Sequence, residues 1–333
     1  MKSARIIEPR KIEVIDIERP EPKEGQILIK TTATSICGSD MPHFLHERPM
    51  NYPLPPGIPG HECIGIVEKS LCDEYKEGDN VLAIPAGSGG FSEYIISVPS
   101  ATVKIPSDSR QDEYVIAQPL GTVIHACRKL FNPLFHPGRG DKIDFNSWKL
   151  KGFKVAIVGQ GAIGLLFTSL MRIFEADTII GIDPVDYRLQ TSLKMGATHI
   201  VNPKETNIQN SVREITKGAM VDLAFEAVGK DATVNDCISV ARRGGVVLVF
   251  GCPREPIYKL AFDEIQGKEL KVLSSLGPEV QVEFPPAVQL IADGKIDASM
   301  LISHRLPFDE IQKGFDLAVN KTDNAIKIVL HFN

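Results

Sequence analysis

The sequence holds six cysteines, at positions 37, 63, 72, 127, 237 and 252, yet it has no Cys-x-x-Cys pair. Thiols scattered in this way through 333 residues argue against a disulfide framework and point to a reducing compartment, the cytoplasm. No apolar run approaches the roughly 20 residues that cross a bilayer. The opening MKSARIIEPRKIEVIDIE carries charges where a signal peptide needs its apolar region. There is no excess of basic charge: the net charge is −5 and the pI about 5.9, so the electrostatic footprint of nucleic-acid binding is missing. Repeats and low-complexity tracts are missing too. What is present is an ordinary globular composition, 43% hydrophobic and 24% charged. The length suits two domains, at about 100–200 residues each, and lets the chain bury a sizeable core without covalent staples.

Two patterns divide the chain. Through residue 110, short β-branched runs (QILIKTTATSI, ECIGIVEKS, DNVLAIP, FSEYIISVPSATVKIP) are punctuated by ERPEPKEG, YPLPPGIPG and AGSGG. Short strands with frequent turn signals predict a barrel-like or sandwich β domain. From residue 153 the pattern alternates. FKVAIVG is an apolar run suited to a strand buried on both faces, and AIGLLFTSLMRIFEA follows as a buried helix. The alternation continues to LKVLSSLG, with six candidate strands between 153 and 276, which predicts a doubly wound parallel sheet. FPPAVQLIADG reads as a helix and AIKIVLHF as a closing strand. Residues 131–152, which hold Trp148, the sole tryptophan, fit neither pattern and read as a long excursion.

A phosphate-binding fingerprint stands at the start of the second pattern. VAIVGQGAIG places Gly159, Gly161 and Gly164 between a predicted strand and a predicted helix. Gly159 serves the tight turn, Gly161 lets a pyrophosphate touch backbone, and Gly164 lets the helix pack on the strand. Ala162 and Ile163 then open the helix whose free N–H groups face the phosphate. Asp183 ends the next strand, 19 residues beyond Gly164. A carboxylate there accepts the ribose hydroxyls of NAD and repels the 2′-phosphate of NADP. Arg188 lies five residues further on, and Glu226 marks the turn after the fourth strand of the alternation, near where a nicotinamide ribose would lie; both are expected to be cofactor-binding residues.

The first pattern carries GIPGHECIG, residues 57–65, where His61 and Glu62 sit among glycines. Alone, the pair reads as a turn feeding a strand. It has company in SICGSDMPH, with Cys37, Ser39 and Asp40, and in AQPLGTVIHACRK, with Gln118. This combination, ahead of a dinucleotide fingerprint, resembles the zinc-dependent medium-chain dehydrogenase/reductase family, most of all its sorbitol and threonine dehydrogenase branch. The resemblance implies a GroES-like β-rich catalytic domain, residues 1–120 and 277–333, around a Rossmann domain, residues 121–276. It implies Cys37, His61 and Glu62 as ligands of one catalytic Zn²⁺, a set that suits a four-coordinate open site. It further implies Ser39 as acceptor of the alcohol proton and Asp40 as the carboxylate orienting His61. Gln118 stands where the family has Glu or Cys, so it is a weak ligand or a hydrogen-bond partner of a water. Lys327, in AIKIVL, matches a basic residue that contacts the cofactor pyrophosphate; without the resemblance it reads as an exposed strand lysine.

The chain also departs from that family. GDNVLAIP runs into AGSGGFSEY with no four-cysteine lobe, so one zinc per chain is expected. The relay histidine five residues after the ligand cysteine is Pro42 here, with His43 and His46 near it. The activity implied is an NAD- and zinc-dependent oxidation of a secondary alcohol (a polyol, cyclitol or sugar-like molecule) in a homodimer or homotetramer, with no nucleic-acid or membrane partner. The rivals are a zinc-free enone or quinone reductase of the same superfamily and a non-catalytic NAD-binding sensor.

Overall fold

A computed structural model describes residues 1–87, 89–131 and 143–332. The chain divides into two compact units, Met1–Gly121 with Glu279–Asn333, and Thr122–Pro278.

The first unit is β-rich. Its early strands are β1 (Lys2–Glu8), β2 (Lys11–Asp16), β3 (Ile27–Ile36), β4 (Cys63–Ser70), β5 (Asn80–Ala83), β6 (Tyr94–Ser97) and β7 (Thr102–Lys104). The second unit contributes β8 (Lys154–Val158), β9 (Thr178–Ile182), β10 (His199–Val201), β11 (Val221–Glu226), β12 (Ala241–Val249) and β13 (Lys271–Ser274). The chain then returns to the first unit with β14 (Ile302–Pro307) and β15 (Lys327–His331). Helices α1 (Met41–Leu45), α2 (Ala117–Phe131), α3 (Ala162–Ile173), α4 (Asp186–Met195), α5 (Ile208–Ile215), α6 (Asp231–Val240), α7 (Phe262–Gly267), α8 (Val280–Ala292) and α9 (Ile311–Asn320) complete the described elements.

In the first unit the strands run β14-β15-β3-β4-β5-β7, with β6 also pairing with β3. β3 is central and long because ILIKTTATSI is rich in β-branched residues and buried on both faces except at exposed Lys30 and half-buried Thr32. One of the unit's cores gathers Phe44 of α1, Phe91 and Phe315 of α9. The Phe315 ring lies 4.9 Å from Phe44 and 5.6 Å from Phe91. This cluster fixes α1, and with it the turn that leaves β3.

In the second unit six parallel strands run β10-β9-β8-β11-β12-β13, the Rossmann order, in which the sequence reverses direction beside β8. β8 is the run KVAIV, buried from Val155 to Val158, as a strand covered on both faces must be. β12 begins at Ala241, five residues ahead of the apolar run VVLVF that marks it in the sequence. The register slips there, from Val221 opposite Ala241 to Leu223 opposite Val246, so the Arg242–Gly245 segment is taken up as a bulge.

Of the 131–152 excursion, positions 132–142 lie outside the described residues. The remainder packs on its own unit. Trp148 is 8% exposed, stacks on Phe131 at 5.0 Å and meets Phe174 edge-on at 5.5 Å. Among the described residues no helix is long and apolar enough to cross a membrane.

Candidate metal and dinucleotide sites

β3 ends at Ile36, and Cys37 caps the short turn Gly38–Asp40 that leads into α1. Asp40 is fully buried, and its Oδ2 accepts a hydrogen bond from the Cys37 amide at 2.8 Å. This local bond holds the cysteine at the end of its strand. The second half of the site comes from residues 57–62. Gly60 passes so close to the 90–91 segment that a Cβ there would meet the Phe91 nitrogen at 2.6 Å. The Gly90 amide donates to Gly60 and the Phe91 amide to Gly57. The glycines around His61 and Glu62 therefore let two backbones touch, and the two side chains are delivered to Cys37.

One ligand atom each of Cys37, His61 and Glu62 lies within 4.8 Å of the others. His61 turns Nδ1 toward the Pro59 carbonyl at 3.1 Å and Asp40 Oδ1 at 3.3 Å, which leaves Nε2 to face the cluster. Ser39 Oγ donates to Cys37 Sγ at 3.1 Å and stands 3.4 Å from His61 Nε2. Glu62 is fully buried, and its Oε2 accepts from Ser35 Oγ and from the Lys327 ammonium. Its other oxygen, Oε1, is buried without a hydrogen-bond partner. Burial works against the charge on His61, yet Asp40 and Cys37 outweigh it and hold the imidazole well above its ordinary pKa. Burial likewise opposes the Glu62 carboxylate, but Lys327 and His61 pull its pKa down. A thiolate, an imidazole and an orphaned carboxylate oxygen form the donor set that zinc takes. The residues present fit a catalytic zinc.

Gln118, the second residue of α2, is 5% exposed. Pro42 is buried in the first turn of α1; His46 closes that helix in the left-handed conformation, its ring 5.4 Å from Tyr52. Lys327 corrects its expectation. It is not an exposed strand lysine: at 3% exposure it donates to the Ile36 carbonyl at 3.2 Å as well as to Glu62. The signal was in the sequence, since a lysine set within the apolar run AIKIVL has to find a charged partner if that run is buried. Ser35 carries no comparable signal.

The fingerprint loop lies in the second unit. Gly159 has φ +92°, and the N-cap of α3 is Gly161. A Cβ on Gly164 would stand 1.8 Å from the Gly159 carbonyl oxygen, so helix and strand meet here only without a side chain. A Cβ on Gly161 would meet only Arg188 Nη1, at 3.8 Å, leaving a cradle open above the first-turn amides of Ala162 and Ile163. Asp183 accepts from the Gln160 amide at 2.8 Å and the Val185 amide at 2.9 Å, while Arg188 Nη1 stands 4.0 Å away. These residues fit a dinucleotide. Glu226 ends β11. It is fully buried, and its oxygens accept from the amides of Val228, Gly229 and Gly251 and from Thr233 Oγ1. Such a carboxylate closes the turn after β11.

Comparison with known proteins agrees with this picture. Residues 23–107 match the alcohol dehydrogenase GroES-like domain and residues 162–293 the zinc-binding dehydrogenase model. The chain is 27% identical to the sorbitol dehydrogenase of Bacillus subtilis (strain 168), over all of this chain and 98% of that one. It is 27% identical to the D-xylulose reductase of Saccharomyces cerevisiae, over 97% of this chain and 95% of that one. The structure of 2R,3R-butanediol dehydrogenase from Bacillus subtilis superposes with a TM-score of 0.83 at 25% identity, covering 100% of this chain and 99% of the other. The chain belongs to the zinc-type medium-chain dehydrogenase family of oxidoreductases.

Proposed function

We propose that this protein is an NAD-dependent dehydrogenase of a secondary alcohol (a polyol, cyclitol or sugar-like molecule) with one catalytic zinc per chain. The observation that carries the reading is the convergence of Cys37, His61 and Glu62 on one point, with Ser39 beside them. Cys37, His61 and Glu62 are the ligands. When bound there, zinc supplies Lewis acidity toward the alcohol oxygen. Ser39 accepts the hydroxyl proton, and Asp40 keeps His61 turned with Nε2 inward. A nicotinamide held by the second unit would supply the hydride acceptor for oxidation and the hydride donor for ketone reduction. Gly161, Ala162, Ile163 and Gly164 receive the pyrophosphate. Asp183 receives the ribose hydroxyls in place of its present amide partners, with Arg188 alongside. The relatives named for sorbitol, xylulose and butanediol support the substrate class.

A zinc-free reductase needs no thiolate–imidazole–carboxylate set, and a silent sensor needs no proton acceptor beside one. Self-association is part of the same proposal. β13 is an edge strand, and Val272 on it is 40% exposed, with Leu276 just beyond at 93% and Phe262 at 69%. The free thiols and the thiolate ligand suit the cytoplasm. The test is metal content per chain by elemental analysis, in wild type and in Cys37→Ser, followed by a screen of polyols and cyclitols with NAD. About one zinc per chain, lost in the variant, together with turnover of a secondary alcohol is expected. A wild type without zinc overturns the reading.

A further inference from the structure

The Glu62 carboxylate is shared. Ser35 comes from the end of β3 and Lys327 from the start of β15, and the two strands pair antiparallel with Ser35 opposite Val329 and Ile36 opposite Ile328. Both side chains grip the same oxygen, Oε2. Lys327 also donates to the carbonyl of Ile36, the residue before Cys37. One buried ammonium thus ties together the two segments that carry Cys37 and Glu62. The oxygen they leave alone, Oε1, is buried and unpartnered. A carboxylate with both oxygens free binds a metal through either or both, and swings about its own axis. One pinned by two donors on a single oxygen offers only the other.

We infer that Lys327, assisted by Ser35, is a positioning residue of the metal site, holding Oε2 of Glu62 so that the ion is met by Oε1 alone. The inference rests on the zinc-site reading above and departs from the pyrophosphate contact that the resemblance implies for Lys327. It has a second consequence. The lysine is a fixed positive charge against a ligand carboxylate, so it draws negative charge away from the ion and keeps the site electrophilic.

The two roles for Lys327 separate by experiment on the full chain. Zinc affinity is measured by competition with a chromophoric chelator, cobalt(II) is substituted for zinc and its visible d–d bands recorded, and NADH binding is followed by the nucleotide's fluorescence. With Lys327→Met, zinc binding is expected to weaken by about 10- to 100-fold, as for other residues that orient a ligand. The cobalt bands shift as the carboxylate changes its mode of binding, and NADH affinity is unchanged. Lys327→Arg, which keeps a cation at the same oxygen, recovers part of the zinc affinity. Ser35→Ala moves zinc affinity and the bands in the same direction by less, and it carries the test if Lys327→Met does not fold. Unchanged zinc affinity and cobalt bands in Lys327→Met, or in Ser35→Ala where that variant stands in, overturn the inference; weakened NADH binding in Lys327→Met would then restore the pyrophosphate role. A wild type that takes up neither metal overturns the underlying zinc reading, and does so before any variant is made.

Discussion

Four charged side chains determine the balance at the candidate metal site: Cys37 as thiolate, Glu62, Asp40 and Lys327. Asp40 and Glu62 are both fully buried, and Lys327 is nearly so. With Zn²⁺ the five groups sum to zero, because the buried lysine offsets the buried aspartate. A neutral residue at 118 preserves that balance. Gln118→Glu adds a negative charge on the segment where the family places a ligand, which disfavours ionisation of a bound alcohol. The alkaline-going limb of the kcat pH profile should therefore move to higher pH in the variant. A limb that stays where it is counts against the charge argument.

Asp183 raises a separate question at this scale. Its carboxylate is 4% exposed and stands at the end of β9, as a ribose-hydroxyl acceptor requires. Arg188, 4.0 Å away, is a cation that could serve a 2′-phosphate instead. The negative charge on Asp183 decides between them, because a phosphate would face it directly. The expected outcome is a lower KM for NAD than for NADP, with the preference reduced in Asp183→Asn. A wild-type preference for NADP would reverse the assignment.

Individual elements set how much a single change costs. α3 rests on β8 through Gly164, with the Gly159 carbonyl where a methyl group would go. Gly164→Ala has to push helix and strand apart, and overpacking of this kind costs about 1–3 kcal/mol. Denaturant unfolding should register that loss, and NADH binding should fall with it because the first-turn amides move. α1 depends on Phe315 of α9, which is fully buried against Phe44 and Phe91. Phe315→Ala should cost about 3–5 kcal/mol of stability, and zinc affinity should drop as well, since α1 continues the turn that carries Cys37, Ser39 and Asp40. Stability lost with zinc affinity intact would show that the turn stands without the helix.

Elements also differed in how plainly the sequence announced them. The fingerprint strand β8 and helix α3 were legible because a continuous apolar run, three glycines and a long apolar helix agree over one stretch. The six parallel strands were legible for the same reason. β1, β2, β14 and α9 were not, since KSARIIE, KIEVID, ISHRLP and IQKGFDLAVN mix charged and apolar residues without a clean period. Their places are assigned by partners distant in the chain: β14 by β15, and α9 by the phenylalanines of positions 44 and 91. The early start of β12 is of the same kind, because a bulge is decided by the neighbouring strand.

For the whole molecule, the prediction concerns association. The Rossmann sheet ends on β13, whose outer edge pairs with no further strand among the described residues and lies beside the exposed side chains of Val272 and Leu276. Strand pairing between copies would satisfy that edge and cover the apolar surface. Sedimentation should find a species larger than the 36.5 kDa chain, and Val272→Asp should shift it toward the monomer. A wild type that sediments as a monomer would remove the proposal. Zinc should also stabilise the native state as a ligand does, by about 4 kcal/mol at a thousandfold excess over its dissociation constant. The melting temperature should fall on chelation in the wild type and be insensitive to chelators in Cys37→Ser.

Taken by itself, the order of residues determined the class of fold and the dinucleotide fingerprint, because each is written in short contiguous stretches; the candidate ligands came only from the family resemblance that CGSD and GHE carry. A run of apolar residues implies a buried strand wherever it lies, and a glycine spacing implies a turn. The tertiary structure decided which partner each buried charge would have. Glu226 and Lys327 looked like cofactor residues along the chain. Folding gave the first to four donors around its own turn and the second to a carboxylate 265 positions earlier in the sequence. A buried charge takes whichever opposite charge or donor the packing brings to it, and that depends on strand pairing across the sheet rather than on local sequence.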